Sequence, residues 1–231
     1  MKTLLLFHGA LGSESQLRPL KEMLKDEYNV HTFNFAGHGG REIPETFSIE
    51  MFAEEIVHFC ETNKIKTTSI FGYSMGGYVA LYLAKQHPQL VESIITLGTK
   101  LHWDEAVAAK EVKMMQPDII EQKIPAFAEQ LSERHYPQNW KKVMNKTAAM
   151  LAEMGQQNPL QTADYKEINC PVLLMLGDRD KMVTMEETVA AYKLLANAQL
   201  AILPNTPHPI EQVDVDMLCF FIRHIILKHS L

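Results

Sequence analysis

Cysteine is scarce in this chain and badly spaced for structural use: Cys60, Cys170 and Cys219 are three in 231 residues, with no Cys-x-x-Cys pair. An odd, scattered set builds neither a disulfide framework nor a zinc site, and it points to a reducing, cytoplasmic compartment. Long apolar runs are missing as well. Nothing approaches the roughly 18 residues that read as a membrane-crossing helix, and the opening apolar run from Thr3 to Phe7 is cut off by His8, too short for a secretory leader. Basic clusters are also lacking, since 22 Lys and Arg are scattered against 28 Asp and Glu for a net charge of −6. Nucleic acid and anionic membranes are therefore excluded as partners. The remaining composition, 46% hydrophobic and 22% charged, is that of an ordinary globular protein. The length suits one domain, 1–231, that buries about 70% of its unfolded surface.

Six short apolar runs recur, each followed by turn residues: TLLLFHG (3–9), NVHTFNF (29–35), TTSIFGYS (67–74), SIITLGT (93–99), PVLLMLGD (171–178) and QLAILPNT (199–206). They lack polar alternation, which predicts parallel strands covered on both faces. Helical patterns separate them at Glu14 to Asp26, Ser48 to Asn63, Met75 to His87, Glu186 to Ala196 and Ile210 to His229. The alternation predicts an open, mostly parallel α/β sheet of about six strands with helices on both faces. It breaks over 101–165, where helix-forming sequence runs without a strand, and a helical cap inserted in the domain is expected there.

The stretch Gly72-Tyr73-Ser74-Met75-Gly76 falls between a strand pattern and a helix pattern. A tight strand-to-helix turn lifts a serine hydroxyl clear of the sheet, and side chains at 72 and 76 would crowd it. A serine that merely capped the helix would need no glycine on either side. Serine is a weak nucleophile at neutral pH unless a base and an orienting acid reach it. Later loops, each following a strand run, supply candidates: Asp178 and Asp180 after PVLLMLG, and His208 after QLAILPNT.

From HGALGS through GYSMGG and GDRDKMV to PHP, the chain resembles the α/β-hydrolase superfamily, as a small, capped, serine-nucleophile, esterase-like member. That resemblance implies a triad of Ser74, Asp180 and His208, with Asp178 left as a turn residue. It implies an oxyanion hole made by the backbone amides of Ala10 and Met75. His8 reads as a buried residue bonded to backbone. The loop NFAGHGG, where Asn34 stands for the family's usual aspartate and Arg41 for a frequent serine, reads as structural. Prolines 207 and 209 bracket His208 where a glycine usually precedes the histidine.

The function so implied is hydrolysis of a small-molecule carboxylic ester or thioester through an acyl-enzyme on Ser74, without cofactor or metal, by a monomer or homodimer. Two alternatives stand beside it. One is a lyase like the menaquinone-pathway synthase, whose arginine after the second glycine is replaced here by Tyr78; a basic pocket from Lys100 or Arg134 would favour it. The other is a low-turnover ligand receptor. Trp103, Met114, Met115, Phe127, Tyr136, Trp140, Met144, Met150 and Met154 are the cap's candidates for an apolar pocket, and most are expected to form the cap's own core.

Overall fold

The computed structural model describes residues 1–228. Six strands form one parallel sheet: β1 (Thr3–Phe7), β2 (Asn29–Thr32), β3 (Thr68–Tyr73), β4 (Val91–Leu97), β5 (Val172–Gly177) and β6 (Ala198–Leu203), in the order β2-β1-β3-β4-β5-β6. All six end before the last residues of the apolar runs, while β4 and β6 begin ahead of theirs, at Val91 and Ala198. In β2 the pairing ends at Thr32, because the chain turns away and Phe35 buries its ring with Phe7 and Phe52 instead.

Alternate residues of each strand serve two cores. Leu5 and Phe7 of β1, Ile70 of β3 and Ile94 of β4 face α2 (Ile49–Thr62) and α3 (Met75–Gln86). Leu4 and Leu6, Phe71, and Ile95 face α1 (Arg18–Leu24) and α9 (Val215–Lys228). Burial on both faces is why the strands read as unbroken apolar runs.

Between β4 and β5 lie four helices, α4 (Glu105–Met114), α5 (Pro117–Lys123), α6 (Pro125–His135) and α7 (Trp140–Gln156), which make a helical cap insertion. Their starts are written locally: Asp104 accepts from the Val107 amide at 2.8 Å, and Pro117 and Pro125 each open a helix at a position that needs no donor. The remaining helix, α8 (Met185–Leu194), begins at Thr184 with a reciprocal capping box to Glu187.

Two helical expectations are corrected. The first helix opens with a 3-10 turn, Glu14–Leu17, before α1 begins. The last does not start at Ile210: a 3-10 turn, Ile210–Gln212, precedes Asp214, whose carboxylate accepts from the amides of Asp216 and Met217 and starts α9 afresh. His229, at the end of the expected helix, lies outside the described residues. No helix among the described residues is long and apolar enough to cross a membrane.

The strand order fixes where a site can form. From β1 the chain steps out to β2, then returns across β1 to β3 and proceeds in the other direction. Loops leaving the carboxyl ends of β1 and β3 therefore diverge to opposite sides and open a crevice between them. Phe7 pairs with Gly72 at that edge, so the next residues of both strands face each other across it.

Candidate active site

Ser74 sits between β3 and α3 with φ +50° and ψ −118°, a backbone state that costs a non-glycine residue about 1–3 kcal/mol. Surrounding bonds hold it there: its amide donates to the Leu97 carbonyl at 2.8 Å, and its carbonyl accepts from the Gly77 amide and the Thr99 hydroxyl, each at 3.0 Å. A Cβ on Gly72 would come within 2.5 Å of the Gly76 backbone, and one on Gly76 within 2.7 Å of Phe7 and the His8 carbonyl. The glycines are thus needed for contact between the turn, α3 and β1, as the sequence argument required.

His208 and Asp180 are paired. The imidazole Nδ1 lies 2.7 Å from Asp180 Oδ2, and both side chains are nearly out of solvent, at 10% and 2% exposure. The other carboxylate oxygen, Oδ1, accepts from the amides of Met182 and Val183 at 2.8 and 2.9 Å. Burial pushes the Asp180 carboxyl up, but the His208 hydrogen bond and charge and the two amides outweigh it and leave its pKa below the ordinary value. The group is therefore held ionised. Asp178 plays a different part from the local turn residue expected of it: its Oδ1 accepts from the Thr206 amide at 3.1 Å, tying the β5 loop to the loop that carries His208.

Ser74 and His208 line a common cavity with Ala10 and Met75. No protein acceptor takes the amide of Ala10 or of Met75 among the described residues, so both stay available to a ligand. Ala10 follows Gly9, where a Cβ would meet the Tyr73 ring and Ser74 Cβ at 3.0–3.1 Å; this glycine lets the β1 loop lie against the serine turn.

His8 is fully buried, with Nδ1 2.8 Å from the Gly9 carbonyl and Nε2 accepting from the Phe35 amide at 3.1 Å. It is a structural residue, as expected. So is the 34–40 loop, where Asn34 accepts from the Glu14 amide at 2.7 Å and Arg41 pairs with Glu55 at 2.7 Å. Lys100 and Arg134 both reach the cavity walls. Each is already engaged: Lys100 bonds the Met182 carbonyl at 2.7 Å with Glu111 and Glu187 at 3.4 and 3.6 Å, and Arg134 bonds the Leu11 carbonyl and Glu211. Tyr78, fully buried, bonds Asn158 and accepts from the Leu160 amide at 3.0 Å, fastening the chain after α7 to α3.

Of the nine cap residues named above, Trp103, Met114, Met115, Phe127, Met144 and Met154 line space beside Ser74. Met144 and Met154 are also part of the buried core, and Trp103, Met115 and Phe127 pack against it, so these residues serve core and cavity together. Trp140 and Met150 are buried in the cap core, and Tyr136 is exposed.

Gly98 was missed. It has φ +58°, and a Cβ there would stand 3.1 Å from Asp180 Oδ2 and 3.2 Å from His208 Nδ1. A glycine directly after the apolar run of β4 was the available signal. Gly98→Ala is expected to cost about 1 kcal/mol in the left-handed backbone and to push the His208–Asp180 pair apart. The mutant should keep most of its stability in urea titration while losing kcat by about 10- to 100-fold; unchanged kcat would show that the pair tolerates displacement.

No group of three or more His, Cys, Asp or Glu side chains among the described residues is arranged to hold a metal ion. Among known proteins, a family model for the alpha/beta hydrolase fold matches residues 2–116. The chain is 27% identical to the pimeloyl-[acyl-carrier protein] methyl ester esterase of Neisseria meningitidis, over 90% of its own length and 87% of that protein's. It is 24% identical to the 2-(acetamidomethylene)succinate hydrolase of Mesorhizobium japonicum, covering 93% and 84%. A thermophilic esterase from Thermogutta terrifontis superposes with TM-score 0.77 at 23% identity, over 100% of this chain and 91% of that one. Strand order, the helices between β4 and β5, the matched segment and the superposition agree, and the chain has the α/β-hydrolase fold.

Proposed function

We propose that the chain is a serine hydrolase that cleaves a carboxylic ester or thioester through an acyl-enzyme on Ser74. One observation carries the reading: a serine held at φ +50° at the sheet's crevice shares its cavity with a histidine whose far nitrogen is bound to an ionised, buried aspartate. The relatives named above, an ester esterase and a hydrolase, support the reaction class.

In this mechanism Asp180 accepts from His208 Nδ1–H, which fixes the tautomer and leaves Nε2 to take the Ser74 proton. Oγ attacks the carbonyl carbon, and the oxyanion is met by the free amides of Ala10 and Met75. The Met75 amide opens α3, so the helix dipole adds to it. His208 then gives its proton to the leaving oxygen or sulfur. Water, deprotonated by the same nitrogen, attacks the acyl-enzyme; the acyl–Oγ bond breaks, Oγ takes that proton back from His208, and the acid leaves.

The test is covalent. A fluorophosphonate probe should label the protein once, on the tryptic peptide that contains Ser74, and labelling should be lost in Ser74→Ala. Label on another residue, or hydrolysis of p-nitrophenyl butyrate unaffected by that substitution, rules the assignment out.

A further inference from the structure

Two spaces of different size meet at Ser74 and His208. The smaller, ≈ 70 Å³, is walled by Ile49, Tyr78, Trp103, Leu151, Met154 and Val183. The larger, ≈ 300 Å³, runs under the cap past Met114, Ile120, Phe127 and Met144 to a polar end at Arg134 and Glu211.

Chemistry decides which part of the substrate enters which space. The leaving atom must receive the proton of His208, and the chain continuing from His208, Pro209 and Glu211, walls the larger space only. Met75, whose amide faces the oxyanion, and Tyr78 on the same helix wall the smaller one only. The leaving group thus belongs in the larger space and the acyl chain in the smaller. From this geometry we infer that the enzyme takes esters or thioesters of short, unbranched, uncharged acyl groups joined to a much bulkier apolar alcohol or thiol. The inference rests on the serine-hydrolase reading above and narrows it to a substrate class.

Size sets the limit. The smaller space has less than a quarter of the volume of the larger, so the shorter of the two groups fits it. Its walls do not yield easily: Tyr78, Leu151, Met154 and Val183 are all buried, and Tyr78 is pinned through its hydroxyl at Asn158 and Leu160. Charge sets the second limit. At its rim Lys100 stands between Glu111 and Glu187, one cation for two carboxylates, so a free carboxylate on the acyl chain meets net negative charge.

The experiment is a kcat/KM series on p-nitrophenyl esters from acetate to dodecanoate, a second series of butyrate esters from methyl to naphthyl, and a comparison of methyl butyrate with monomethyl succinate. Expected are an optimum between acetate and hexanoate, a fall of about 100-fold by dodecanoate, a rise from methyl to naphthyl, and discrimination against the succinate. Met154→Ala, or Leu151→Ala should the first not fold, should move the acyl optimum to longer chains without altering the order of the alcohol series. An optimum at octanoate or beyond, or a change in alcohol order instead of acyl order, overturns the inference. Failure of the underlying reading looks different: no fluorophosphonate label on Ser74 and no Ser74-dependent turnover of any ester.

Discussion

Ser74→Ala is expected to lower kcat on p-nitrophenyl butyrate about a millionfold, His208→Ala by a similar factor, and the double mutant scarcely further. The reason is that neither group acts alone: without His208 the serine stays protonated, and without Ser74 the imidazole has no nucleophile to activate. Asp180→Asn should cost less, about 10⁴-fold, because the imidazole remains but loses the bond that sets its tautomer. That ordering distinguishes a triad from a serine that merely sits in a cavity. Steady-state rates with each variant, with active-site titration to exclude wild-type contamination, give the measurement. Losses that add in the double mutant would mean that the two residues contribute independently and that the proposed proton transfer between them is wrong. Neither Ser74→Ala nor His208→Ala should unfold the protein, since both side chains face a cavity rather than close packing.

The parts legible in the sequence are those written by local rules. Unbroken apolar runs announced a sheet buried on both faces, and the glycines around Ser74 announced the turn because backbone contact at 2.5–2.7 Å excludes side chains there whatever else the fold does. Asp180 and Asp178 were distinguishable only by likeness to a family. Their geometry differs through residues 28 positions away, His208 for one and Thr206 for the other. Gly98 lay beyond local reading for the same reason: its positive φ matters because the Asp180–His208 pair passes over it. The cap's apolar residues could not be divided between core and cavity from helical spacing, since Met144 and Met154 have one side of the chain in each. Cap and sheet are also joined by an unusual device that no motif flagged. Arg134 and His135 of α6 both donate to the carbonyl of Leu11, the residue after Ala10.

That device makes the protein acid-labile, with unfolding expected to set in near pH 5. His8, His38 and His135 are buried with ring centroids 5.2 and 5.8 Å apart along the row, joining β1, the 34–40 loop and the cap. Each is held neutral. His8 Nε2 accepts from the Phe35 amide and His135 Nδ1 from the Gly39 amide at 3.2 Å, so a proton on either nitrogen would face another N–H. Burial, with repulsion from His135, Arg134 and Arg41 added, pushes His8 down to about 3; burial with repulsion from Arg134 pushes His135 to about 4, and burial with repulsion from His8 drives His38 well below its ordinary value. In the unfolded chain all three titrate near 6.5. Below that pH the unfolded state alone takes up the protons, so stability is full above about 6.5 and falls as pH drops toward the folded values. Each histidine contributes a slope of about 1.4 kcal/mol per pH unit, and three together remove roughly 6 kcal/mol between pH 7 and 5, which is comparable with the whole stability of a domain. Asp180 does not set this transition, because its lowered pKa keeps it ionised until well below pH 5. Urea midpoints measured from pH 7.5 to 4.5 should fall steeply through this window, and His135→Gln should reduce the slope by about a third even if it destabilises the protein at pH 7. A midpoint that stays flat to pH 5 would mean that water or rearrangement solvates these rings. Because the same bonds hold the loop that carries Ala10, ester turnover should be lost over the same interval in which the cap comes loose.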